Sequence, residues 1–146
     1  MNTTSPAPTW VIFALLSALF AGMTAILAKF GIQGVNSNLA TAIRTVVIVL
    51  FAWGIVLARG ELQGIKELTG RNWLFLILSG FATGASWICY FRALSLGPVS
   101  KVAPIDKLSF VIAVVFGLIL FHEKVTWQLG VGVALIIVGV LFTLKG

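Results

Sequence analysis

Residues able to bind or exchange charged species are concentrated between Tyr90 and Ser109, where one long apolar run ends and another begins. Arg92 lies near the end of the first run, and Asp106 and Lys107 lie near the start of the second. A charged side chain well within a bilayer costs on the order of 2.5–3.5 kcal/mol on insertion scales, so it must reach the interface, pair with an opposite charge or face water. Because an aspartate side chain is short, we expect Asp106 to have a basic partner, and Arg92 is the leading candidate.

Each polar group in these runs has a structural explanation beside the functional one. The ion pair of Asp106 would either lie on a solute path or only fix the hairpin between two helices. Arg44, in the second apolar run, would line a water-filled opening or anchor its helix at the headgroups. Trp87 and Tyr90 lie one helical turn apart and would line a cavity or pack as aromatics. The candidates for a substrate or ion path are Arg44, Trp87, Tyr90, Arg92, Asp106, Lys107 and Ser109.

Five apolar stretches, each long enough to cross a bilayer, must position these residues. A spanning helix needs about 20 mostly apolar residues. The predicted spans are 10–29, 39–58, 73–96, 102–121 and 127–144 of the 146 residues. The composition is 60% hydrophobic and the mean hydropathy is +1.10. The sequence therefore predicts an all-α integral membrane bundle of five transmembrane helices, forming one domain (10–146) after a flexible tail (1–9).

Proline and cap residues predict where some of these helices begin and end. Gly97 and Pro98 end the third helix, because proline lacks an N–H and moves the residue before it out of helical geometry. Pro104 is expected in the first turn of the fourth helix, where the missing N–H has no cost. Thr126 is predicted to cap the fifth helix, with Trp127 as an anchor at the headgroups.

Small residues at helical spacing predict the faces by which the helices pack. Lipid gives no hydrophobic drive for helices to associate, so close approach through small side chains has to bring them together. Such patterns also arise by chance in apolar helices, but nearly every span carries one. The predicted packing residues are Ala18, Gly22, Gly80, Gly84, Ala113, Gly117, Gly130 and Ala134.

The net charge of +6 is spread over loops and span ends, without a basic run or an aromatic-interleaved basic patch. We therefore expect the basic residues to anchor the chain at anionic headgroups and predict no binding of nucleic acid. Six of the ten lie on the side of the C-terminus and four on the side of the N-terminus. This weak bias predicts a cytoplasmic C-terminus and also permits insertion in both senses.

Residue types needed for catalysis or for metal binding are scarce. The single cysteine, Cys89, and the single histidine, His122, form no cluster that would hold zinc or haem. No nucleophile–base pair or phosphate loop is evident, and the glycines follow helix-packing spacing. We predict that the protein is not an enzyme and has no cofactor and no metal site.

The central segment resembles the signature of EamA-type transporters of the drug/metabolite transporter superfamily, in their short, single-repeat bacterial and archaeal form. The residues that carry the resemblance are Tyr-Phe-Arg-Ala-Leu at 90–94 and Gly-Pro-Val-Ser-Lys-Val-Ala-Pro-Ile-Asp-Lys-Leu-Ser at 97–109. Segments 41–45 and 123–130 also fit the pattern. The resemblance implies a multi-pass inner-membrane protein that moves small metabolites or drugs. Many relatives carry two inverted repeats in one chain, so two copies of this chain inserted in opposite senses would restore ten helices.

The function predicted from these observations is secondary transport of small metabolites or drugs by a dimer with alternating access. The expected partners are the lipid bilayer, a small solute and a second copy of the chain, antiparallel if insertion is dual. Arg44, Arg92 and Lys107 would attract an anionic solute, and Asp106 would exchange a proton or bind a cation. The alternative is a non-transporting membrane subunit that scaffolds or regulates a partner transporter.

Overall fold

The computed structural model describes residues 9–122 and 124–145, and the regular elements of that part of the chain are all helices. The helices are α1 Thr9–Gly31, α2 Ser37–Ala58, α3 Gly70–Leu96, α4 Val99–Asp106, α5 Leu108–Leu120 and α6 Trp127–Lys145, with a 3₁₀ helix Glu61–Glu67 between α2 and α3. The predicted all-α class is confirmed. The first eight residues of the predicted tail, and Glu123, lie outside the described residues.

Five spans long and apolar enough to cross a membrane are present: α1, α2, α3, α4 together with α5, and α6. Their ends agree with the predicted spans to within about three residues. Most large apolar side chains on these helices are exposed, as Phe81 on α3 shows with 74% exposure. In a protein surrounded by lipid tails such a surface needs no cover, which supports the membrane assignment.

The chain divides into two compact units. One unit holds α2, the 3₁₀ helix and α3, and in it α2 packs against α3. Its most buried side chains are Phe91 and Leu94, at 1% and 0% exposure. The other unit holds α1, α4, α5 and α6, and in it α4 and α5 pack against α6, where Val140 is buried. The single domain predicted for residues 10–146 stays a prediction.

Local polar residues set the ends of α2 and α3. The Asn36 side chain caps α2 by accepting hydrogen bonds from the backbone N–H groups of Asn38 at 2.9 Å and Leu39 at 3.4 Å. Thr69 and Asn72 form a reciprocal capping box at the start of α3. These bonds satisfy N–H groups that have no partner inside the helix. The chain leaves α2 through Gly60, whose φ of 68° is a left-handed conformation that favours glycine.

The cap predicted for the fifth span is confirmed, because the Leu129 N–H donates to Thr126 Oγ1 at 3.3 Å. The expectation for Pro104 is wrong. Pro98 precedes the first residue of α4 with an extended backbone, so the helix begins at Val99 and Pro104 lies inside it. Pro98 lies just outside the helix, a position that suits a proline. The helix therefore starts at Val99, five residues before Pro104.

The fourth span is also not one continuous helix, in contrast to the predicted span 102–121. It breaks at Lys107, which ends α4 and precedes α5. Pro104 has no N–H to donate to the carbonyl one turn earlier, and its ring crowds that carbonyl. The backbone hydrogen bonds there join residues three apart rather than four. The Lys107 N–H donates to the Pro104 carbonyl at 3.1 Å, and the Phe110 N–H donates to the Lys107 carbonyl at 3.0 Å.

The cap of α2 gives a stability prediction. Asn36→Ala removes the acceptor of two backbone N–H groups and should lower the free energy of unfolding by about 1 kcal/mol. Asn38→Ala is the matched control, because its side chain makes no hydrogen bond among the described residues and alanine favours the helix. Denaturant titration in mild detergent would measure both, and equal stabilities of the two variants would contradict a role for the cap.

Candidate functional site

The most organised polar group of the α2–α3 unit is the guanidinium of Arg44. Its central carbon lies 4.6 Å from the ring centroid of Phe91 and 5.6 Å from that of Trp87. Trp87 and Phe91 are four residues apart on α3, so both rings lie on the same face of that helix. A cation at this distance from an aromatic face is attracted by the negative charge density of the ring.

The rings of Trp87 and Phe91, called the aromatic base below, are packed within the α2–α3 unit. Phe91 is buried, while Trp87 and Tyr90 are half-buried. The rings of Tyr90 and Phe91 meet edge to face, with centroids 6.2 Å apart and planes at 72°. This is a favoured aromatic geometry, and it limits the freedom of Phe91 to move away from the guanidinium.

The hydroxyl groups near Arg44 on α2 already donate hydrogen bonds to backbone carbonyls. The Thr41 hydroxyl donates to the Ser37 carbonyl at 2.9 Å, and the Thr45 hydroxyl donates to the Thr41 carbonyl at 2.9 Å. Among residues 9–122 and 124–145 the guanidinium itself has ring contacts but no hydrogen bond and no ion pair. Its N–H donors are therefore available to a ligand.

The second polar group lies where the fourth span breaks. Asp106 Oδ2 is 3.3 Å from Lys107 Nζ, and the two side chains are 34% and 60% exposed. Lys107 also borders an open cleft of about 600 Å³ in the same unit. The cleft is lined by Pro104, Lys107, Phe110, Ile136, Gly139, Val140 and Thr143. Ion pair and apolar cleft together offer a place for an amphipathic solute.

The structure places the predicted path residues in two groups. Arg44, Trp87 and Tyr90 come together in the α2–α3 unit, and Asp106 and Lys107 lie at the break, with Ser109 exposed at the start of α5. Within its own unit Asp106 pairs with Lys107, and Arg92 is exposed on α3.

Since Arg92 belongs to the other unit, a pair between Arg92 and Asp106 stays a prediction. Sequence reasoning missed Phe91, although its spacing of four from Trp87 is the signal that would have found it.

The predicted packing faces are open in this chain. A Cβ added at Gly80 or Gly84 would meet no described atom within 4 Å, and the same holds at Gly22 and Gly130. Ala18, Ala113 and Ala134 are exposed, and Gly117 is half-buried. Packing at these eight positions stays a prediction. No group of three metal-ligating side chains is found among the described residues.

Comparison with known proteins finds transporters of similar size. The EamA-like transporter family matches residues 8–145. An uncharacterised transporter in the cobO 3′ region of Sinorhizobium sp. is 52% identical over 132 residues, which cover 90% of this chain and 94% of that protein. A probable 4-amino-4-deoxy-L-arabinose-phosphoundecaprenol flippase subunit ArnE of Enterobacter sp. (strain 638) is 34% identical over 71 residues, covering 49% of this chain and 66% of that protein. No solved structure matches.

Two phenylalanines of α3 allow a test of the aromatic base. Phe91→Ala removes a buried ring and should lower the free energy of unfolding by about 3 kcal/mol, the usual cost of an aromatic cavity. Phe81→Ala is the control, because its ring is 74% exposed, and we expect a much smaller loss. Denaturant titration in detergent measures the difference, and similar losses for both would contradict the packing of Phe91.

Proposed function

Because this chain belongs to the EamA-like transporter family, we propose that it carries a small solute across the bacterial inner membrane as a dimer, by alternating access. Membership of the family and five apolar spans make it a multi-pass membrane protein of a transporter or flippase class. The movement of a small solute and the action of two copies as a dimer are proposed in addition. No chemical step on the solute is part of the proposal.

The observation that carries the proposal is the break of the fourth span at an ion pair. Lys107 keeps right-handed helical dihedrals, and the backbone there tightens into 3₁₀-type hydrogen bonds, which often mark a hinge within a helix. Asp106 and Lys107 lie at this break, and Lys107 borders the cleft. An ion pair that only anchors the helix would not need the cleft.

The ion pair suggests how binding and movement are coupled. While Asp106 and Lys107 face each other, their charges cancel. A proton or cation that binds Asp106 releases the ammonium of Lys107 for an anionic group of the solute. The tightened backbone at Lys107 lets α4 and α5 change their relative angle during the exchange. Because the pair is partly exposed, the exchange does not require a fully buried charge to move.

A dimer is proposed because the cleft and the groove found within the two units are open. The cleft at Lys107 is open, and most large apolar side chains are exposed. The groove along Gly80 and Gly84 is apolar and free of neighbouring atoms, which suits close contact with a helix of a second copy. Two five-helix copies would surround a path that one copy leaves open to lipid.

The second candidate function is that of a subunit in a heteromeric complex. The relative from Enterobacter is named as a probable flippase subunit, and it is 34% identical over about half of this chain. In this case a different membrane protein would take the place of the second copy. The exposed surface described above fits either partner.

Removal of the Asp106 charge tests the coupling. Asp106→Asn should lower uptake of radiolabelled organic acids and sugar phosphates into proteoliposomes by at least about tenfold, because an ionisable group inside a membrane is expected to be functional. Glu67→Gln, in the 3₁₀ helix outside the spans, is the control and should leave uptake unchanged. Wild-type uptake and pH dependence in Asp106→Asn would remove this residue from the mechanism.

The nature of the partner is tested with two differently tagged copies expressed together. Capture of one tag should recover the other, and Gly84→Leu should lower that recovery by more than about half, because a large side chain separates the helices. Gly54→Leu is the control, since Gly54 is equally open but lies on α2. Recovery of one fixed, different membrane protein and no second copy would favour the subunit function.

A further inference from the structure

We infer that Arg44, held over the rings of Trp87 and Phe91, is the binding site for an oxyanion group, a carboxylate or a phosphate. The inference deepens the proposed function and rests on it for the claim that this group belongs to the transported solute. Three observations carry it: the contacts of the guanidinium with two rings well before the end of α3, its half-buried side chain, and the lack of an ion pair with any carboxylate of the described residues.

The guanidinium lies beside rings that come well before the end of α3. Trp87 and Phe91 precede the last residue of α3 by nine and five positions, which corresponds to roughly 8–14 Å of helix rise. The guanidinium carbon is 5.6 Å from the Trp87 ring and 4.6 Å from the Phe91 ring, so it lies at the same level along α3 as these rings. A side chain that only anchors its helix would extend to the headgroups and leave the aromatic rings behind.

Contacts of a guanidinium with aromatic rings do not use its hydrogen-bond donors. A guanidinium is planar and interacts with aromatic rings through its charge and its flat face, while its five N–H groups point outward in the plane. Thr41 and Thr45 give their hydroxyl protons to backbone carbonyls of α2, so they do not compete for an anion. Two adjacent N–H groups match the two oxygens of a carboxylate or phosphate.

The charge of Arg44 is not balanced inside the described part of the chain. No carboxylate of residues 9–122 and 124–145 forms an ion pair with it. The Arg44 nitrogens are also accessible. They form no hydrogen bond, and no buried side-chain nitrogen or oxygen of the described residues lacks one, so none of them is buried. A charged side chain within a membrane pairs with a partner or faces water, so the reachable donors of Arg44 suit an external anion. Lys107 differs, because it already has Asp106 as its partner.

Two sources offer the same oxyanion chemistry: a soluble solute and the phosphate of a lipid headgroup. The first test uses the wild-type protein in dodecyl maltoside, a detergent without phosphate, and the arginine reagent phenylglyoxal, with modification of each arginine followed by mass spectrometry. We expect succinate or inorganic phosphate to slow modification of Arg44 by about tenfold, as for a bidentate site. Arg71 is the internal control, since it also lies near a ring, Phe75 at 5.8 Å, but is exposed at the start of α3.

The same measurement in nanodiscs with phosphatidylglycerol identifies the source. Protection of Arg44 by phosphatidylglycerol alone would assign the site to a lipid headgroup and keep the oxyanion assignment. Protection by succinate or phosphate would assign it to a soluble solute. Equal modification of Arg44 under all of these conditions, with succinamide as the neutral probe, would overturn the inference.

Variants separate this inference from the proposed function. Arg44→Lys keeps the charge but lacks the planar fork, so affinity for the protecting oxyanion should fall by about tenfold, and Arg44→Gln should abolish binding. Arg71→Gln should bind as wild type does. Oxyanion binding that needs Arg44, without uptake in proteoliposomes, would retain the site and reject transport. Normal uptake and binding by folded Arg44→Lys and Arg44→Gln would retain transport and reject the site.

Discussion

The absence of water around most of this chain is the constraint on which the rest of the structure depends. In lipid every backbone N–H and C=O has to find its partner within the protein, so the chain forms long helices and places its irregular backbone at helix ends. The cap of Asn36 and the capping box of Thr69 and Asn72 satisfy the N–H groups that a helix start leaves over. The break at Lys107 is the exception, and it coincides with the ion pair of the fourth span.

The same constraint explains why the ionic residues have such different surroundings. Asp106 and Lys107 are neighbours in sequence, and each cancels the charge of the other. Arg44 has no such neighbour, and its charge is stabilised by the electron-rich faces of Trp87 and Phe91. Ring contacts stabilise a cation without using its N–H donors. The described residues thereby combine a self-neutralised pair with a cation that makes ring contacts and forms no ion pair among them.

The exposed surface links the family to the assembly. A relative is 52% identical over 94% of its own length, so it is close to this chain in length. One such chain leaves its small-residue groove at Gly80 and Gly84 uncovered. Helices in lipid associate through packing and polar contacts rather than through hydrophobic burial. An exposed apolar surface alone therefore says little about the partner, whereas small residues in a groove allow close approach.

Sequence by itself determined the helical class, the number of spans and the cap at Thr126, because hydropathy and capping are local properties of the chain. It also picked out Arg44 and Asp106 as charges in apolar surroundings. Only the tertiary structure decided what stabilises them, since the contact of Arg44 with Phe91 joins residues that are far apart in sequence. The break at Lys107 was missed because Pro104 was placed in the first turn of the helix, where its missing N–H interrupts no bond, whereas the helix already begins at Val99.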